Sequence, residues 1–151
     1  MKVKDIMTTE LVTVAPSTVA VDAAKLMRDA DIGDVLITDQ DRLVGILTDR
    51  DLTVRIVAEG LNPSQARVGD HMTKDLVTGL PDWDIEDAGD IMAEEQIRRL
   101  PVVENGRLVG IVSLGDIAVQ LMEEEVACDA LEEISKPAMP RIGEVKETAR
   151  A

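Results

Sequence analysis

Aromatic side chains are almost missing from this 151-residue chain: Trp83 stands alone, with no Phe and no Tyr. A core must therefore be assembled from Val, Ile, Leu, Met and Ala. The stacking platforms with which RNA- and single-strand-binding folds hold bases are excluded. A single cysteine, Cys128, rules out an internal disulfide. One histidine, His71, beside one thiol makes no transition-metal site of the His/Cys kind, and both read as packing residues. Bases are scarce, 16 against 30 acids, for a net charge of −14. Such a surface repels nucleic acid and anionic membrane, so neither is expected as a partner. No apolar run approaches the roughly 20 residues of a membrane span. The opening Met1-Lys2-Val3-Lys4-Asp5 lacks the apolar centre of a signal peptide, and the expectation is a cytoplasmic protein.

What is present is repetition. A shift of 65 residues aligns the two halves without a gap from Val3 to Leu52. Identical pairs include Val3/Val68, Asp5/Asp70, Met7/Met72, Thr8/Thr73, Leu11/Leu76, Pro16/Pro81, Ala23/Ala88, Met27/Met92 and Ile32/Ile97. Arg42 to Ile46 equals Arg107 to Ile111 throughout. Each unit reads as β-α-β-β-α. An extended segment (Leu11 to Val14) ends at Pro16, and Ser17 or Thr18 is placed to cap a helix running to Ala30. Val35 to Ile37 and Leu43 to Leu47 form a hairpin around Asp39-Gln40-Asp41, matched by Asn105-Gly106 in the second unit. A second helix runs from Asp49 to Glu59, with Leu52, Ile56 and Val57 on one face. The chain divides into repeats at 1–60 and 61–122 and a C-terminal part at 123–151, where a helix to Ser135 precedes a loose tail from Ile142. One unit of about 60 residues is marginal alone. The solution expected is an α+β fold in which the two repeats pack sheet to sheet about a pseudo-twofold axis, opening clefts between them.

The repeated stretch richest in chemistry is Gly45-Ile46-Leu47-Thr48-Asp49-Arg50-Asp51, which returns as Gly110-Ile111-Val112-Ser113-Leu114-Gly115-Asp116. Each copy is a strand-to-helix turn. Glycine permits close approach of a ligand to the backbone. The hydroxyl and the acid three residues on share the helix's first turn, a capping box with Asp in place of Glu. The same turn suits a nucleotide, because free N–H groups face a phosphate and an Asp accepts from ribose hydroxyls. The two readings coexist.

The duplication, the Gly-h-x-Thr/Ser-x-x-Asp ending, the Asp5-Ile6-Met7-Thr8 opening and Arg99-Leu100-Pro101-Val102-Val103 together resemble a pair of cystathionine-β-synthase (CBS) domains. In particular the chain is similar to small stand-alone bacterial CBS pairs, and the resemblance covers residues 1–122. It implies a regulatory module binding AMP, ADP or ATP, and less often S-adenosylmethionine, NADH or a cyclic dinucleotide. It also implies a homodimer in the form of a four-domain disc, acting on a client that the sequence does not identify. Carried over residue by residue, the resemblance assigns Asp51 and Thr48 to the ribose and phosphate of a first cleft, with Ile32, Gly33, Met7 and Val12 around the base. It assigns Asp116 and Ser113 to a second cleft, with Ile97, Met72 and Val77. Basic residues before the second strand reach phosphates across the axis. Arg98 and Arg99 would then face the first cleft, and Gly33-Asp34 would turn toward the second. The first cleft is accordingly expected to take a phosphorylated adenosine, and the second to be empty or to take a less anionic ligand.

No nucleophile–base pair, paired His or metal cluster supports catalysis, so no enzyme and no catalytic cofactor is expected. The competing reading is a structural or interaction module whose clefts are vestigial.

Overall fold

The computed structural model describes residues 1–121 together with residues 133 and 134. The chain opens with α1 (Val3–Ile6). The first unit then runs through β1 (Thr13–Val14), α2 (Ala20–Ala30), β2 (Asp34–Asp39), β3 (Arg42–Thr48) and α3 (Asp49–Asp51), which continues in π winding over Leu52–Val57. A 3-10 turn (Val68–Asp70) opens the second unit, followed by α4 (Ile85–Glu95), β4 (Arg99–Glu104), β5 (Arg107–Ser113) and α5 (Leu114–Gln120).

In the first unit β1 runs parallel to β2 and β2 antiparallel to β3. In the second, β4 and β5 pair antiparallel. The expected first strand of the second unit shrinks to a single parallel bridge, Gly79 with Val102. Gly79 stands where the first unit has the buried Val14, and a glycine offers no side chain to hold a strand against the core. Both hairpins turn through two residues of positive φ, Gln40 (51°) with Asp41 (65°) and Asn105 (52°) with Gly106 (78°), the primed turn that matches strand twist. Both carry the same one-residue register shift, after Ile37 and after Val102.

Helix α2 is not capped by Ser17 or Thr18. Its N-cap is Val19, and no side chain bonds there. The freed N–H groups go to the inter-unit link instead: Ala20 donates to the Ala66 carbonyl at 2.8 Å and Val21 to the Pro63 carbonyl at 2.9 Å. In the second unit the Ile85 N–H donates likewise to the Met1 carbonyl at 3.1 Å. A main-chain acceptor from elsewhere satisfies a helix end as well as a cap does. In the helix after β3, Ile56 is buried and Leu52 packs on the core, but Val57 is 66% exposed. Successive residues on a helix turn to different directions, and here Ile56 takes the core side while Val57 faces outward.

The cores cross over. Val14, Ala23, Met27, Val35, Ile37 and Leu47 of the first unit enclose Val68, which comes from the opening turn of the second. Ile85, Ala88, Met92, Leu100, Val102, Val112, Leu114 and Ile117 of the second unit enclose Val3 of α1. The opening segments also zip onto the opposite hairpins. Thr8 exchanges hydrogen bonds with Ile111 at 2.8 and 3.0 Å, and Thr73 with Ile46 at 2.9 and 3.1 Å. Each repeat therefore closes the core of the other, and the two sheets meet through β3 and β5.

Glu133 and Ile134 are helical. Ile134 packs on the second core, and Gln96 Nε2 donates to the Glu133 carbonyl at 3.4 Å. The rest of the expected helix over 123–135, Cys128 and the tail from Ile142 lie outside the described residues. No helix among the described residues is long and apolar enough to cross a membrane.

Candidate functional site

Each strand-to-helix turn folds around a reciprocal pair of hydrogen bonds. The Thr48 N–H donates to Asp51 Oδ2 at 2.9 Å and the Asp51 N–H to Thr48 Oγ1 at 3.0 Å. The Ser113 N–H donates to Asp116 Oδ2 at 2.9 Å and the Asp116 N–H to Ser113 Oγ at 3.1 Å. These are capping boxes with the short acid in the Glu position. Gly115, on the first turn of α5, leaves its box as tight as the first. The two acids differ in their second oxygen. Asp51 Oδ1 lies 3.6 Å from Arg55 Nη2. The matching position 120 is Gln, and among the described residues Asp116 Oδ1 has no partner.

The motif glycines face protein. A Cβ on Gly45 would stand 2.7 Å from Met72 Cγ and 3.0 Å from the Thr73 carbonyl oxygen. One on Gly110 would stand 2.9 Å from Met7 Cγ. Glycine is required there by the opening segment of the other repeat, not by a ligand. Met7 and Met72, expected at a base pocket, are the residues that fill those gaps. Both lie against the apolar cores.

A cavity of about 320 Å³ opens beside the second motif. Ser113 and Asp116 line it. Val12, Ile32 and Gly33, all from the first unit, line it as well. Asp34 and Arg99 also line it, with Arg99 Nε donating to Asp34 Oδ1 at 2.9 Å. Val12, Ile32, Gly33 and Arg99, expected with Asp51 and Thr48, line this cavity with Asp116 and Ser113, and Gly33 also touches the first motif, its carbonyl accepting from the Asp49 N–H. Arg99 reaches Ser113 through the register of the β4–β5 hairpin, and Val12, Ile32 and Gly33 come to the same cavity from the first unit where the two units pack together. Ile97 and Val77 pack on the second core. Arg98 is exposed, and its carbonyl accepts from the Leu114 N–H at 2.9 Å, mirrored by Gly33 and Asp49 at 2.9 Å. Thr8, Glu10 and Asp31 complete the polar lining and were not singled out by the motif. Thr8 carried a signal in its identity with Thr73; Glu10 and Asp31 carried none.

Two copies of the CBS domain match the chain, at residues 3–58 and 68–123. The chain belongs to the CBS-domain family. As a CBS pair it is 46% identical over 133 residues to the CBS domain-containing protein YhcV of Bacillus subtilis, covering 88% of this chain and 94% of that one. The crystal structure of Hypoxic Response Protein I with two coordinated zinc ions is 38% identical, with a TM-score of 0.74 over 80% of this chain and 99% of that one. A protein of that name occurs in Mycobacterium tuberculosis. The structure of CBSX2 in complex with AMP is 30% identical, with a TM-score of 0.70 over 80% of this chain and 96% of that one. In this CBS pair, among the described residues, no group of three or more His, Cys, Asp or Glu is placed to hold a metal ion. CBS pairs of this kind are regulatory modules, and related structures include a protein with CBS domains from Burkholderia ambifaria.

Proposed function

We propose that this CBS pair senses an adenosine-type ligand, with AMP as the reference compound, in the cavity lined by Ser113, Asp116, Val12 and Ile32. The observation that carries the reading is Asp116. One of its oxygens is committed to the cap, and the other, unpartnered, belongs to a residue lining a cavity. An acid so held is rigid and ready to accept from a ribose hydroxyl, while Ile32 and Val12 offer apolar cover to a base. The volume lies near the lower end of small-molecule sites, about 300–1,000 Å³. The AMP bound by CBSX2 supports the ligand class. The module acts through a homodimer and a client protein: binding between the two repeats favours the arrangement in which the cavity is closed, and the client reads that shift.

Calorimetry with AMP and 2′-deoxy-AMP, on the wild type and Asp116→Asn, tests the site. Binding by the wild type that weakens both with the deoxy sugar and with the amide supports it. Unchanged affinity in the Asn variant overturns it. The second reading, a structural module, is favoured by one observation: capping boxes and Met–Gly packing account for the whole motif in both repeats without a ligand. It predicts no thermal shift at any AMP concentration, whereas saturation at 100 times Kd adds about 2.7 kcal/mol.

A further inference from the structure

Asp34 and Arg99 are separated by 65 residues, the period of the repeat. A residue that touches its own counterpart lies on the symmetry axis. The Asp34–Arg99 pair therefore marks the pseudo-twofold, and both side chains line the same cavity. Each opens a strand, and the strand register sets Arg99 opposite Ser113 and Asp34 opposite Thr48. The two ends of the pair are unequal. The Asp34 side chain is 12% exposed and that of Arg99 43%. The carboxylate is fixed in the wall, and the guanidinium is the end that can leave.

Among the described residues, Arg99 is the one cation lining this cavity. The other charged groups there, Glu10, Asp31 and Asp116, are acids. An incoming phosphate finds its only attractive partner already bonded to a carboxylate 2.9 Å away. To gain Arg99 it must displace Asp34, leaving that charge unpaired and close to solvent-poor protein. A neutral nucleoside faces no such competition.

We infer that Asp34 is a specificity-determining residue: by holding Arg99, it cancels the affinity that a phosphate would add to an adenosine bound in this cavity. The inference rests on the proposed adenosine site. It assigns to this chain a preference that separates adenosine from its phosphates, set by one residue at the axis.

Titration calorimetry with adenosine and with AMP, on the wild type, Asp34→Asn and Asp34→Asn/Arg99→Gln, tests it. Circular dichroism confirms that each variant is folded. The wild type is expected to bind AMP no more tightly than adenosine. Asp34→Asn is expected to gain about tenfold for AMP, the worth of one charged hydrogen bond, with adenosine unchanged. The gain is expected to vanish in the double variant. If adenosine binds but the AMP-to-adenosine ratio is the same with and without Asp34, or if the gain survives loss of Arg99, the inference is overturned while the adenosine reading stands. If AMP gains in Asp34→Asn but adenosine binds nowhere, the adenosine reading falls and the competition for Arg99 stands. If neither ligand binds any variant, both fall.

Discussion

Gly45 and Gly110 show how one residue type can be read for the wrong partner. Both repeat within a motif that carries a hydroxyl and an acid, and a ligand would explain them. What approaches them is a methionine and a carbonyl from the other repeat, Met72 with Thr73 and Met7 with Thr8. Overpacking such a contact costs about 1–3 kcal/mol. Gly110→Ala is expected to lower the unfolding free energy measured in urea by that amount, and Met7→Ala in the same chain to recover part of it. Additive losses in the double variant would show that the methionine is not the obstacle. The pairing was in the sequence as two identities, Gly45/Gly110 and Met7/Met72, but one-dimensional order does not say which glycine meets which methionine. The primed hairpin turn was legible at Asn105-Gly106. At Gln40-Asp41 the same geometry is imposed on two residues with side chains, and the register of the hairpin, not local preference, decides it.

Among the elements, α1 and the 3-10 turn matter more than their length suggests. Val3 and Val68 are each fully buried in the core of the opposite unit. Removing two methyl groups from a buried valine costs about 1.5–3 kcal/mol. Val3→Ala is expected to lower stability by that much, and native-state hydrogen exchange is expected to show the loss first in β4, β5 and α4. Loss confined to β2 and β3 would mean that α1 closes its own unit instead. Helix capping was read at the right residues in the two motifs, because the Thr/Ser and Asp spacing is local. It was misread at α2, where main-chain carbonyls of residues 63 and 66 do the work that Ser17 and Thr18 were expected to do. A local pattern cannot reveal an acceptor that the fold brings from forty residues away.

For the whole molecule, one exposed apolar position is shared by the two repeats. Val54 and Val119 occupy equivalent positions, 47% and 66% exposed, and Val57 and Leu61 are exposed as well. Two equivalent exposed valines on either side of a pseudo-twofold suit an isologous contact with a second copy. Val119→Glu is expected to turn the proposed homodimer into a monomer in light scattering after gel filtration, with the circular dichroism spectrum unchanged. A dimer that persists in Val119→Glu and in Val54→Glu would place the interface elsewhere.

The sequence alone determined the duplication, the α+β class, the hairpins and the two capping boxes, since each depends on residues within a few positions of one another or on a shift of the chain against itself. It also determined that the core is aliphatic and the surface acidic. Tertiary structure alone decided that the opening segments change places. That exchange sets Met7 and Met72 against the motif glycines, while the packing of the two units brings Val12 and Ile32 to the cavity that Asp116 lines and Arg99 to Asp34. The physical reason is that a repeat of this size cannot cover its own core, and the nearest cover is its neighbour's first turn. A contact between counterparts on an axis does not exist in either repeat by itself; it arises only when the two are packed.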